Sequence, residues 1–176
     1  DFNATPLGKY GIYWNITVTP GAGTSGYDAE LISKSDNPTV AAGDTATLEV
    51  VVKNTGTATW SNTGANPMHL GTWNSQDRSS SFYDASWLST NRPAGLQEDS
   101  VAPGAQGTFE FNIKVPSSKD DGAYTEAFNL VSENLGWLNL PITFTINVEG
   151  TSTGDVTISL ASDTPSGETL PQGATG

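Results

Sequence analysis

Carboxylates are the only titratable side chains this chain holds in number: its 176 residues include 19 Asp and Glu, 7 Lys and Arg, one His and no Cys. A glycosidase needs two carboxyl groups ~5–10 Å apart across a sugar bond, and the adjacent candidates are Glu98-Asp99 and Asp120-Asp121. Neighbouring residues on a strand point to opposite faces, and Asp121-Gly122 has the composition of a tight turn, so both couples read as turn or solvated-edge residues. His69 lies between Met68 and Leu70 and is expected on the side opposite them, as a surface or half-buried residue. A Ser-His-Asp hydrolase would have to use it as base, and a histidine metal site would need a second imidazole. The lack of Cys removes disulfides, thiolate zinc sites and thiol catalysis together. No catalytic set assembles, and the chain reads as non-enzymatic.

Two weaker chemistries remain. Calcium needs only clustered oxygens, which Asp77, Asp84, Asp99 and Asp163 supply in number but without DxDxDG spacing. Trp73, Phe82, Tyr83 and Trp87 form a candidate platform for sugar rings or a protein partner. The competing and preferred reading is that Phe82 and Trp87 tuck beneath their loop and finish the core. Asn3-Ala-Thr and Asn15-Ile-Thr fit the N-glycosylation acceptor pattern.

The elements that must position these residues are strands. In Thr45–Trp60, Ala46, Leu48, Val50 and Val52 face one way and Thr47, Glu49 and Lys53 the other, the period of a half-buried strand that only Val51 interrupts. It stops at Asn54-Thr-Gly56, a turn whose Gly is suited to positive φ, and resumes with Trp60 as an aromatic plug. Further strands are expected around Leu31, over 66–73, over 107–115 with Phe109, Phe111, Ile113 and Val115 inward, over 124–131, and over 137–148 with Ile142, Phe144, Ile146 and Val148 inward. Residues 74–97 are one long connection without a period, the kind that usually carries function or decoration. This pattern predicts an all-β, antiparallel immunoglobulin-like sandwich of about seven strands over 27–149.

Each end adds a strand-forming segment. Residues 1–20 carry Ile12, Trp14, Ile16 and Val18 on alternate positions, followed by a Gly/Ser-rich linker at 21–26. Residues 150–154 form a second linker, and 155–176 carry Val156, Ile158 and Leu160 in alternation. Two explanations stand side by side: the end strands belong to adjacent domains of one longer chain, or they are donor strands that complete a neighbouring subunit's sheet. A start at Asp1 rather than Met fits either a removed signal segment or an excerpt.

A formal charge of −12 repels phosphate backbones and argues against nucleic acid. No apolar run reaches the ~18 residues of a membrane span. A Thr-, Ser-, Gly- and Asn-rich composition with only 15% charged residues suits an extracellular β-protein, and the absence of Cys favours a prokaryotic one.

From Asn37 to Glu149 the chain resembles the immunoglobulin-like four-tryptophan modules, a class first defined in the autophagy receptor called next-to-BRCA1 and also found in secreted bacterial proteins. The carrying residues are VKNTGTATW at 52–60, VAPG at 101–104, Pro116, Gly122 and Tyr124 in P-x₅-G-x-Y, and Leu135-Gly136-Trp137. Trp60 and Trp137 stand in register with that pattern, whereas aliphatic Val50 to Val52 and Phe128 take the places of two other tryptophans. The stretch from Arg92 to Gly104 resembles the RPA-x-L-x-E-x-x-V-x-PG of bacterial surface and cell-wall proteins. The resemblance implies an accessory or structural module. The expected function is therefore that of a structural part of a prokaryotic surface layer, stalk or filament, joined to copies of itself or to neighbouring domains by β-strand pairing. The alternative is a module binding cell-wall glycan on a secreted protein.

Overall fold

The computed structural model describes residues 26–150, which form eleven strands and, among the described residues, no helix. The strands are β1 (Ala29–Lys34), β2 (Thr39–Ala41), β3 (Thr45–Asn54), β4 (Trp60–Ser61), β5 (Met68–Trp73), β6 (Ala94–Gly95), β7 (Ser100–Val101), β8 (Gln106–Lys114), β9 (Gly122–Ser132), β10 (Gly136–Trp137) and β11 (Ile142–Glu149). Six have six residues or more and account for most of the expected sandwich; the rest are two- or three-residue pieces. One sheet has the order β1-β3-β8. The other runs β2-β11-β9-β5-β6, with β10 paired to β9, and β4-β7 make a small ribbon. With β1, β3 and β8 as strands A, B and E, and β5, β9 and β11 as C, F and G, this is the immunoglobulin-like arrangement. Tyr124 opens β9 and donates its hydroxyl to the Asp120 carbonyl at 2.9 Å, the tyrosine corner of such sandwiches.

Period-two alternation builds the core. Leu48, Val50 and Val52 from β3 and Phe109 and Ile113 from β8 meet Phe128 and Leu130 from β9 and Phe144 and Ile146 from β11, all nearly or wholly out of solvent. Phe111 and Phe128 meet edge to face at 5.1 Å and Phe128 and Phe144 at 6.2 Å, the geometry that aromatic quadrupoles favour. Trp60 is completely buried, and its indole Nε1 finds no partner.

Three local expectations change. Val51 does not break the alternation of β3: it keeps the outward face, half-buried between the buried Val50 and Val52, and the irregularity lies in β1, where Leu31 pairs with Val52 and Ser33 with Val51, leaving Ile32 over. Gly56 is needed for close approach rather than for its φ, since a Cβ there would run into the Gly26 carbonyl. Asp121-Gly122 does not turn a hairpin, because β8 and β9 lie in different sheets.

The chain enters and leaves this domain at opposite ends. At one end the Gly26 carbonyl accepts the amides of Thr57 and Ala58 at 2.8 and 2.9 Å, just past the end of β3. At the other, the Glu149 carbonyl accepts the Ala42 amide at 3.1 Å, just before β3 begins, and Gly150 lies beside Asp121. Ten-residue β3 sets the interval at ~30 Å. Between these ends β1 and β2 are successive parts of one path. The Ser35 amide still bonds Glu49 of β3, whereas the Asn37 side chain and Pro38 carbonyl already accept the amides of Thr145 and Asn147 of β11. β2 then runs parallel to β11, with Val40 opposite Val148.

Candidate interaction surface

The residues with chemical potential gather around the long connection, which crosses from one sheet to the other. Residues 74–93 leave β5, which only the two-residue β6 covers on its outer side, and lie along the outer edge of β8. Phe82 and Trp87 point inward, 2% and 5% exposed, and Trp87 packs edge-on against Phe111 and Phe128. The same residues cap the strand. The Trp87 indole donates to the Asn112 carbonyl, and the Lys114 amide donates to the Phe82 carbonyl at 3.0 Å. Further along, Gln97 and Glu98 bond the carbonyl and amide of Thr108. Arg78 fastens the start of the loop, donating to the Trp73 carbonyl and pairing with the buried Glu126 carboxylate.

On the outer face of the larger sheet, β5 alternates His69, Gly71 and Trp73 outward against Met68, Leu70 and Thr72 inward. Across from them on β9 stand Val131, Asn129 and Ala127. Trp137 of β10 lies over Gly71, where a Cβ would meet its ring, and sits 5.2 Å from Trp73. The Arg92 guanidinium lies 5.1 Å from the Trp137 centroid. Arg92 also donates through Nε to Glu133 at 2.6 Å and through Nη1 to Asp77 at 2.5 Å, and His69 Nδ1 meets the same Glu133 oxygen at 3.0 Å. Burial pushes the Glu133 carboxyl upward, but the bonds from Arg92 and His69 outweigh it and hold it below the ordinary carboxylate value. Burial likewise opposes the charge on Arg92, and its bonds to Glu133 and Asp77 outweigh that and hold it above its ordinary value. The four polar groups thus satisfy one another, so the cluster locks loop, turn and sheet together.

The sequence-derived candidates scatter accordingly. The four-ring platform does not form: Phe82 and Trp87 are core, Trp73 is half-buried against Trp137, and Tyr83 alone is exposed, 38%, edge-on to Trp87. The reason is the uncovered edge of β8, which takes the two largest apolar rings of the loop. Nor do the calcium candidates converge. Asp77 is bound to Arg92, Asp84 caps Ser86 and is held below its ordinary value by the Ser86 hydroxyl and amide, and Asp99 faces Asn62. Among the described residues no three acidic or histidine side chains stand close enough to share an ion. Glu98 and Asp99 diverge, one to Thr108 and the other to Asn62. Ile12, Trp14, Ile16, Val18, Asn3, Asn15 and Asp163 lie outside the described residues.

Sequence reasoning did not single out Glu133, Asn129 or Gly71. Asn129 is fully buried on the outer face and serves the Leu138 carbonyl and the amides of Leu130 and Leu140. Gly71 was the available signal, because a glycine inside a strand marks close approach of another group.

No family model matches the sequence, and no curated protein matches it. Among solved structures, the CARDB domain of a Pyrococcus furiosus protein, in complex with di-metal ions, is 16% identical over 71% of this chain and 96% of that one, with a TM-score of 0.39. The archaellum periplasmic stator complex FlaF and FlaG of Sulfolobus acidocaldarius is 13% identical over 78% of this chain and 100% of that one, with a TM-score of 0.38. A chimeric titin Z1Z2 is 13% identical over 71% and 98%, with a TM-score of 0.35.

Proposed function

We propose that this sandwich is a non-enzymatic spacer in a prokaryotic cell-surface or extracellular assembly, such as a surface layer, stalk or filament. The observation that carries the proposal is that the chain enters and leaves at opposite ends, Gly26 and Gly150. A domain strung in this way lengthens an assembly and bears load along its strands. Tension on the two ends draws β1 and β2 one way and β11 the other, so the parallel β2–β11 pair and its flanking bonds, Asn147 amide to Pro38 carbonyl and Ala42 amide to Glu149 carbonyl, are sheared together. Bonds loaded in parallel resist more than bonds opened one after another.

The Cys-free, acidic, Thr- and Gly-rich composition supports an extracellular setting. Mutual satisfaction of the Arg92 cluster supports a structural rather than a ligand-binding role for the outer face, and burial of Phe82 and Trp87 removes two rings from the glycan alternative. Joining by strand addition would need an open edge. β8 is covered by the loop, while β1 is guarded by its bulge, by charged Glu30 and Lys34, and by the Asp28 carboxylate on the Ala29 amide. These features favour joints made by chain continuity over joints made by donated strands. Pulling single molecules by their two ends tests the proposal. A single cooperative rupture that Ala42→Pro weakens is the expected result, and low-force, stepwise opening insensitive to Ala42→Pro contradicts it.

A further inference from the structure

We infer that residues 12–20 and 155–175 are the sequences of the last strand and of the first strands of two further sandwiches built like this one. The register of the described domain supplies the comparison. β11 buries Ile142, Phe144, Ile146 and Val148 on alternate positions and then reaches Gly150. Residues 12–18 repeat that series with Ile12, Trp14, Ile16 and Val18, and a Gly- and Ser-containing linker follows one residue later, after Pro20. Four alternating apolar residues are generic to buried strands, so the specificity rests on the other end.

There, Asp155-Val-Thr-Ile158 follows the linker as Asp28-Ala-Glu-Leu31 does, and Ser162-Asp-Thr-Pro165 falls at the same spacing as Ser35-Asp-Asn-Pro38. The repeated residues are those that carry the chain between sheets. Ser35 Oγ accepts the Glu49 amide at 2.8 Å, and the Pro38 carbonyl accepts the Asn147 amide at 2.9 Å. Thr164 replaces Asn37 and keeps a side-chain oxygen at that position. After three additional residues, Leu170-Pro-Gln-Gly173-Ala-Thr175 repeats Val40-Ala-Ala-Gly43-Asp-Thr45, with glycine at the position where Gly43 has φ +93° and a side chain would be strained. A period near that of one domain, with atypical pieces at both ends, is the sequence signature of an array. The partners of this domain are therefore sandwiches of its own kind, joined in line through linkers of a few residues. This identification rests on the spacer reading for its biological meaning, but not for its test.

The test extends the full chain after Thr175 with a second copy of residues 46–150, so that residues 155–175 take the place of 28–45. Two cooperatively folding units are expected, seen as protected amides in both halves and about twice the unfolding enthalpy per chain. A positive control appends residues 26–150 intact, and a negative control scrambles residues 155–175. Two units in the positive control with only one in the test chain, as in the scrambled chain, would overturn the inference. Hydrogen exchange on the 176-residue chain is an independent check: unprotected amides at 12–18 are expected, and protection there would mean that these residues pair with this sandwich or with another copy, which overturns it. Two folded units that yield at low force would sink the spacer reading alone.

Discussion

The two edges of the three-stranded sheet solve the same problem by opposite means. β8 hides its unpaired groups under a loop that inserts Phe82 and Trp87 into the core, whereas β1 stays in solvent and protects itself with a bulge at Ile32, flanking charges and the Asp28 side chain. The covered edge is coupled to stability, because uncovering it also empties the core. The guarded edge is coupled to specificity, because a bulge and charges cost little to keep and mainly prevent pairing with other chains. Mutations at the first should change how firmly the domain folds, and mutations at the second what it sticks to.

The largest effect is expected from Trp87→Ala. It removes a buried indole that packs on Phe111 and Phe128 and donates to β8, and should cost about 3–5 kcal/mol in chemical denaturation, as large-to-small core changes do. A cost below 1 kcal/mol would mean that the loop is not part of the core. Gly71→Ala comes next. The added methyl collides with Trp137 and crowds Arg92, so a loss of about 1–3 kcal/mol is expected. A red shift in Trp emission should accompany it as the lock opens.

Acid sensitivity gives a third, smaller effect. The Glu133 carboxyl is depressed in the folded state, so its contribution is complete above the ordinary Glu value of ~4.3 and is lost as pH falls through the lower folded value. Glu133→Gln should therefore destabilise at neutral pH and flatten the stability profile below ~4.3; an unchanged acid limb would show that the Arg92 cluster does not couple to folding. Smallest in stability is deletion of Ile32, expected to change it by about 1 kcal/mol or less. It restores regular pairing along β1, and sedimentation should reveal more self-association than in the parent.

These edges also mark where sequence was informative. Strand periodicity in β3, β8 and β11 identifies the inward residues directly, because burial of one face is a local, period-two property. The bulge at Ile32 leaves no such pattern, because it exists only in the pairing of β1 with β3. Phe82 and Trp87 appear as loop aromatics, and only the uncovered edge of β8, a long-range fact, sends them inward. The lock around Trp137 brings together Gly71, Arg92 and Glu133, whose separation along the chain leaves no local pattern apart from the glycine within β5.

The placement of the two chain ends is open to one direct measurement. Because the chain lacks Cys, spin labels introduced by Ser25→Cys and Thr151→Cys flank the two ends of the described domain without background. Pulsed dipolar spectroscopy should return a distance of ~30–40 Å, set by the length of β3 at ~3.3 Å per residue plus the two flanking residues and label arms. A distance below ~20 Å would place both ends on one side of the sandwich, and a domain strung that way could not act as an in-line spacer.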